Sequence, residues 1–82
     1  MYRAMPLIMV PEGKECRVVD IHAGRGLSRH LTEMGFTQNS PVKVLRSDGN
    51  SLIVGINGCK YALSRGIAMK ILVDETIGDG EY

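Results

Sequence analysis

Apolar and polar positions alternate along most of this chain with a period of two, the pattern of strands half-buried in a sheet. In "PVKVLRS", Val42 and Val44 alternate with Lys43. In "SLIVGIN", Leu52, Val54 and Ile56 share one face, and in "CKYALS" Cys59, Tyr61 and Leu63 do the same. "ECRVVDIHA" is as rich in strand formers, but its parity slips: Cys16 and Val18 fall on one face, Val19 and Ile21 on the other. A bulge, or burial on both faces, accounts for such a slip. "ILVDE" makes a fifth, closing strand, and the acidic, glycine-containing "TIGDGEY" behind it is expected to fray. Turn signals separate these runs: "PEGK", "DGN" and Asn57–Gly58, with one helical turn expected in "SRGIAMK".

One segment keeps a different period. In "GRGLSRHLTEMGF", Leu27, Leu31 and Met34 recur at spacings of four and three, a narrow stripe of helical period. Gly24 and Gly26 break the preceding strand. Gly35 stands where a left-handed C′ residue closes a helix, with Phe36 behind it placed to pack on Leu31. The pattern predicts a helix within about residues 26–34 that stops itself at Gly35 and lays its stripe on a sheet. The fold expected is mainly β: a small five-stranded barrel of strongly bent sheet, with this one short α-helix inserted.

At 82 residues and 9.0 kDa the chain has room for one domain with one core. Its 44% apolar content is ordinary for a globular chain and argues against a disordered one. Ten basic against nine acidic residues leave a net charge of +1, without the cationic footprint of a nucleic-acid binder. Three Tyr and one Phe make a poor stacking platform, so a small RNA-binding barrel is a remote alternative and no nucleic acid is expected. No apolar run reaches the roughly 18 residues of a spanning helix. "MYRAMPLIMVPEG" is broken by Pro6 and Pro11 and lacks a small-residue cleavage site, so neither a secretory signal nor membrane insertion is expected. Cys16 and Cys59, without CxxC spacing, fit a reducing cytosol.

Candidate chemistry is sparse. "GRG" between a strand and a helix stands where a phosphate loop would, but Arg29 occupies the third glycine position and no βαβ unit surrounds it. Cys16, Asp20 and His22 share parity on one strand, with His30 eight residues further on. Such nitrogen and sulfur donors suit Fe(II) or Zn(II), making Cys16, His22 and His30 weak metal candidates, but they match no closed-site spacing and no cofactor is expected. No paired carboxylates sit at helical spacing, and no enzyme is expected. Arg25 and Arg29, four apart, form a basic face on the exposed side of the helix, with Arg65 and Lys70 flanking the later turn. The plain reading of that face is a solvated surface with Arg29 paired to Glu33.

Over about 65 residues the order of these elements resembles the ferrous iron transport protein A (FeoA) family. The resemblance is carried by "PEGKECRVVDI", "AGRGLSRHLTEMGF", "PVKVLR" and "SLIVGINGCKYALSRGIAMKILV", with Ala62, Leu63, Ala68, Ile71 and Val73 at the positions of the family's ending. The chain departs from it at "TQNSPV", where members often carry a Pro-Gly turn, and at Arg29–His30, where many carry two arginines. The resemblance implies an SH3-like barrel with a helix after the first long strand. It implies a cytoplasmic accessory protein of ferrous iron uptake that acts through the cytosolic, GTPase-bearing part of a FeoB-type transporter, at the inner face of the membrane. Monomer or weak oligomer is expected. The residues expected at the partner are Arg25, Leu27, Arg29, His30 and Glu33, with Gly24, Gly26 and Gly35 as structural turns. The alternative is a metal-sensing module, since the same fold closes the diphtheria-toxin-repressor-type regulators. A complete DNA-binding repressor is not expected, because no helix-turn-helix precedes the fold.

Overall fold

The computed structural model describes residues 4–74. Strand β1 (Met5–Pro6) leads through a 3₁₀ turn (Leu7–Met9) to β2 (Glu15–Ile21), then helix α1 (Arg25–Met34). Strands β3 (Pro41–Ser47), β4 (Ser51–Ile56) and β5 (Cys59–Ser64) follow, then a helical turn α2 (Arg65–Ala68) and β6 (Ile71–Asp74). The strands form one antiparallel sheet in the order β1-β6-β2-β3-β4-β5.

The five expected strands are β2 to β6; the two-residue β1 is a sixth, paired with β6 by Met5↔Val73 and Pro6↔Leu72. The barrel also stays open, because no strand pairing joins β1 to β5. The helical turn α2, which packs against β4, β5 and the Leu7–Met9 turn, lies at that seam instead. "TIGDGEY" lies outside the described residues.

Turns fall where the glycines allow them. Asn57 and Gly58 both have positive φ, 53° and 79°, as a two-residue hairpin turn requires. At the β3–β4 turn the Asp48 carboxylate accepts from the N–H of Asn50 (2.8 Å) and of Ser51 (2.9 Å). Those two backbone donors hold its pKa below the usual carboxylate value. In α2, the Ser64 hydroxyl caps the first turn by accepting from the Ile67 N–H at 3.4 Å.

The slipped parity of β2 is a bulge. Val18 pairs with Val73 and Asp20 with Leu72, leaving Val19 as the extra residue. Cys16 and Val18 point into the core before it, and Ile21 packs against the core after it, while Asp20 and His22 turn outward. A second bulge at Leu45 bends β3 against β4.

The helix begins one residue earlier than expected, at Arg25, and stops at Gly35, whose φ is 117°. The Phe36 N–H donates to the Leu31 carbonyl and the Gly35 N–H to that of Thr32, both at 3.0 Å, the bonds of a Schellman stop. Leu31 and Phe36 are both 1% exposed, and Leu27 and Met34 lie half-buried against the same core. That core joins Leu7, Val42, Val44, Leu52, Val54, Ile56, Ile71 and Val73, and none of the buried side chains among the described residues is polar.

Candidate functional site

Because the helix stripe of Leu27, Leu31 and Met34 is narrow, α1 touches the sheet along one edge and leaves a groove beside β2. The groove encloses about 650 Å³. Val18, Val19, Asp20 and Ile21 form one wall, Ser28 and Thr32 the helix wall, and Phe36, Thr37 and Gln38 its end. The hydroxyls are spoken for as donors: Ser28 Oγ donates to the Ala23 carbonyl (3.1 Å) and Thr32 Oγ1 to that of Ser28 (2.8 Å). Thr37 Oγ1 and Ser40 Oγ lie 2.7 Å apart. At the mouth, Asp20 Oδ1 accepts from the Ile21 N–H (2.8 Å), and Asp20 Oδ2 lies 3.1 Å from His22 Nε2. The groove therefore offers oxygen acceptors over an apolar floor of Val18 and Phe36.

The structure redistributes the residues expected at the site. Ser28 and Thr32, which face the groove, were not among them; their only mark in the sequence is a hydroxyl at i and i+4 flanking the apolar stripe. At about 100° per residue, Arg25 and Arg29 fall between Thr32 and Glu33 on the helix circumference, on the solvent side of the helix wall and outside the groove's lining. Both are exposed. Arg29 does not pair with Glu33; among the described residues the close contact between a basic and an acidic side chain is that of His22 Nε2 with Asp20 Oδ2. His30 is exposed on the opposite flank, and half-buried Leu27 belongs to the core contact. Gly24 is the N-cap, Gly26 is the second helical residue, and Gly35 is the stop.

The metal candidates do not converge. The bulge at Val19 separates inward Cys16, whose thiol donates to the Val42 carbonyl at 3.5 Å, from outward His22. His30 stands apart on the helix. Among the described residues no group of three or more His, Cys, Asp and Glu side chains gathers to hold an ion. Anaerobic titration of the reduced chain with Fe(II) or Zn(II) is expected to give no stoichiometric site tighter than micromolar. Submicromolar binding abolished by Cys16→Ser or His22→Ala would overturn that expectation. Cys59 is exposed beside Tyr61, whose hydroxyl is pushed above its usual pKa first by partial burial and then by the neighbouring thiol.

No helix among the described residues is long and apolar enough to cross a membrane. A family model described as the FeoA domain matches residues 5–75. The chain is 38% identical over 76 residues to "Putative Fe(2+) transport protein A" of Methanocaldococcus jannaschii, covering 93% of each chain. The crystal structure of an iron uptake regulatory protein (FeoA) superposes with a TM-score of 0.81 at 27% identity, covering 88% of this chain and 97% of that one. The FeoA of Stenotrophomonas maltophilia complexed with zinc, described as a prokaryotic SH3 domain protein, superposes with a TM-score of 0.77 at 26% identity. It covers 85% of this chain and 89% of that one. With an SH3-like sheet, a helix after the first long strand and a family match that spans nearly all the described residues, the chain belongs to the FeoA family.

Proposed function

We propose that this chain is a cytoplasmic accessory protein of ferrous iron uptake that works by contact with the cytosolic region of a FeoB-type transporter and performs no chemistry itself. The observation that carries this reading is the match to the FeoA domain across residues 5–75, joined to a relative named for Fe(2+) transport at 38% identity. The geometry supports it: a groove walled by a short amphipathic helix, with hydroxyls committed to backbone acceptors, and exposed Arg25 and Arg29 on the helix's solvent side. Rim charges of this kind chiefly steer association and fix orientation.

Fe(II) uptake in a deletion strain, complemented with wild type or with the double variant Arg25→Glu/Arg29→Glu, tests the reading. The double variant should stay folded, since exposed charges contribute little to stability, and should restore uptake only partly. Full complementation by it would remove the two arginines from the mechanism. Normal uptake in the deletion strain, with no second copy present, would remove the transport role.

A further inference from the structure

The chain has three asparagines, Asn39, Asn50 and Asn57. An asparagine is chemically labile where the backbone nitrogen that follows it is free to reach its own side-chain amide carbon. At two of the three, the structure holds that nitrogen elsewhere. The Ser40 N–H donates to the Thr37 carbonyl at 3.0 Å, and the Ser51 N–H to Asp48 Oδ1 at 2.9 Å. Asn57 is different. It is exposed and stands first in the two-residue turn between β4 and β5, with Gly58 behind it. The flanking pair Ile56↔Cys59 exchanges the backbone bonds across this turn, so the Gly58 N–H belongs to neither strand. It has no hydrogen-bond partner among the described residues. Open space surrounds the point where a side chain on Gly58 would stand, so water and base reach its nitrogen. Asp48–Gly49 presents a similar glycine, but two backbone N–H bonds keep the Asp48 carboxylate ionised and a poor electrophile.

We propose that Asn57 is a modification site, the position at which this chain deamidates through its own backbone and so loosens the β4–β5 hairpin from the helix stop. The Gly58 nitrogen, its proton taken by base, attacks Asn57 Cγ and closes a five-membered succinimide. The Cγ–Nδ2 bond breaks, and the amide nitrogen takes up a proton and leaves as ammonia. Water then opens the ring at one of its two carbonyls, leaving aspartate or isoaspartate. Neither product suits the place. The Asn57 amide nitrogen lies beside Gly35, in the space a Cβ there would fill. Aspartate puts a carboxylate at that point, next to the negative end of α1. Isoaspartate adds a methylene to the main chain inside a two-residue turn, where the Ile56↔Cys59 register has no room for it. Since Gly35 closes the helix that walls the groove, the reaction ties the age of the chain to the shape of the groove.

The full chain, aged in mildly alkaline buffer and mapped by mass spectrometry of its peptides, tests the site. The mass gain of an amide-to-acid conversion should appear at Asn57 at least tenfold faster than at Asn39 or Asn50, with isoaspartate among the products. The rate should rise with pH. In urea, where the Ser40 and Ser51 N–H groups are released, Asn39 and Asn50 should speed up and the gap should narrow. Asn57→Gly keeps the positive φ of the turn and removes the electrophile. Aged alongside, it should hold its urea midpoint while that of the wild type falls. Conversion at Asn57 no faster than at the other two in the folded chain would overturn the proposal. So would a gap that urea leaves unchanged, or an equal fall in midpoint for wild type and Asn57→Gly.

Discussion

Gly35→Val is expected to lower the stability of the domain by about 1–3 kcal/mol, chiefly through backbone strain, with a smaller cost where the new side chain meets Asn57. At φ 117° and ψ 1°, Gly35 occupies backbone that a β-branched residue resists. A residue other than glycine held there costs on the order of 1–3 kcal/mol. The added Cβ would also meet the side-chain amide of Asn57, an exposed side chain that must turn aside, while the Asn57 Cγ at 3.5 Å and Ile56 Cγ1 at 3.6 Å are in ordinary contact, so most of the cost is backbone strain. The strain cannot be relieved by fraying, because the Schellman bonds at Gly35 and Phe36 tie the helix end to a buried ring. With a urea slope of about 1 kcal/mol per molar for a small domain, the midpoint should fall by roughly 1 M or more. The two causes separate experimentally. Asn57→Gly suits the positive φ of its own turn and removes the amide, so Gly35→Ala in that background should cost less than in wild type. An unchanged midpoint in Gly35→Val would show that Gly35 does not stop the helix.

Phe36→Ala should cost about 3–5 kcal/mol, the range for deleting a buried aromatic ring. Phe36 is 1% exposed, its ring centroid lies 6.4 Å from that of Tyr61 at an interplanar angle of 51°, and it floors the groove. Domains of this length are stable by about 4–12 kcal/mol in all, so the loss takes a large part of the reserve. A ten-residue helix has little stability of its own in water, and the packing at Leu31 and Phe36 is what holds α1 in place. Thermal melts followed by far-UV dichroism should show a transition lowered by ten degrees or more, as an order of magnitude. Phe36→Leu should recover most of it. A loss below about 1 kcal/mol would mean that α1 docks without the ring.

Much of this fold is legible in the sequence because local and tertiary demands agree there. Leu52, Val54 and Ile56 alternate and are buried; Leu31, Gly35 and Phe36 are spaced for a helix stop and form one. What the sequence hides is set by pairing at a distance. Strand β1 exists only because Met5 and Pro6 meet Val73 and Leu72, and two residues carry no period. The bulge at Val19 leaves parity ambiguous in "ECRVVDIHA", and that ambiguity placed Cys16 beside Asp20 and His22, which the structure puts on opposite sides of the strand. The groove was foreseeable as a helix wall beside a bent sheet, but its lining was not. Ser28 and Thr32 belong to no motif, and polar residues flanking an apolar stripe resemble any solvated face.

The pairing of the first strand with the last also decides how the domain bears force. Met5 lies opposite Val73, so the amino end of β1 and the carboxyl end of β6 leave the sheet together, side by side. A pull that separates these two ends acts across the β1–β6 ladder rather than along it. Its backbone bonds are then loaded one rung at a time, and the pair peels like a zipper instead of resisting in shear. The fold is mechanically soft at the point where the described chain enters and leaves. Within it, β2 to β5 remain joined through ladders that such a pull does not load first.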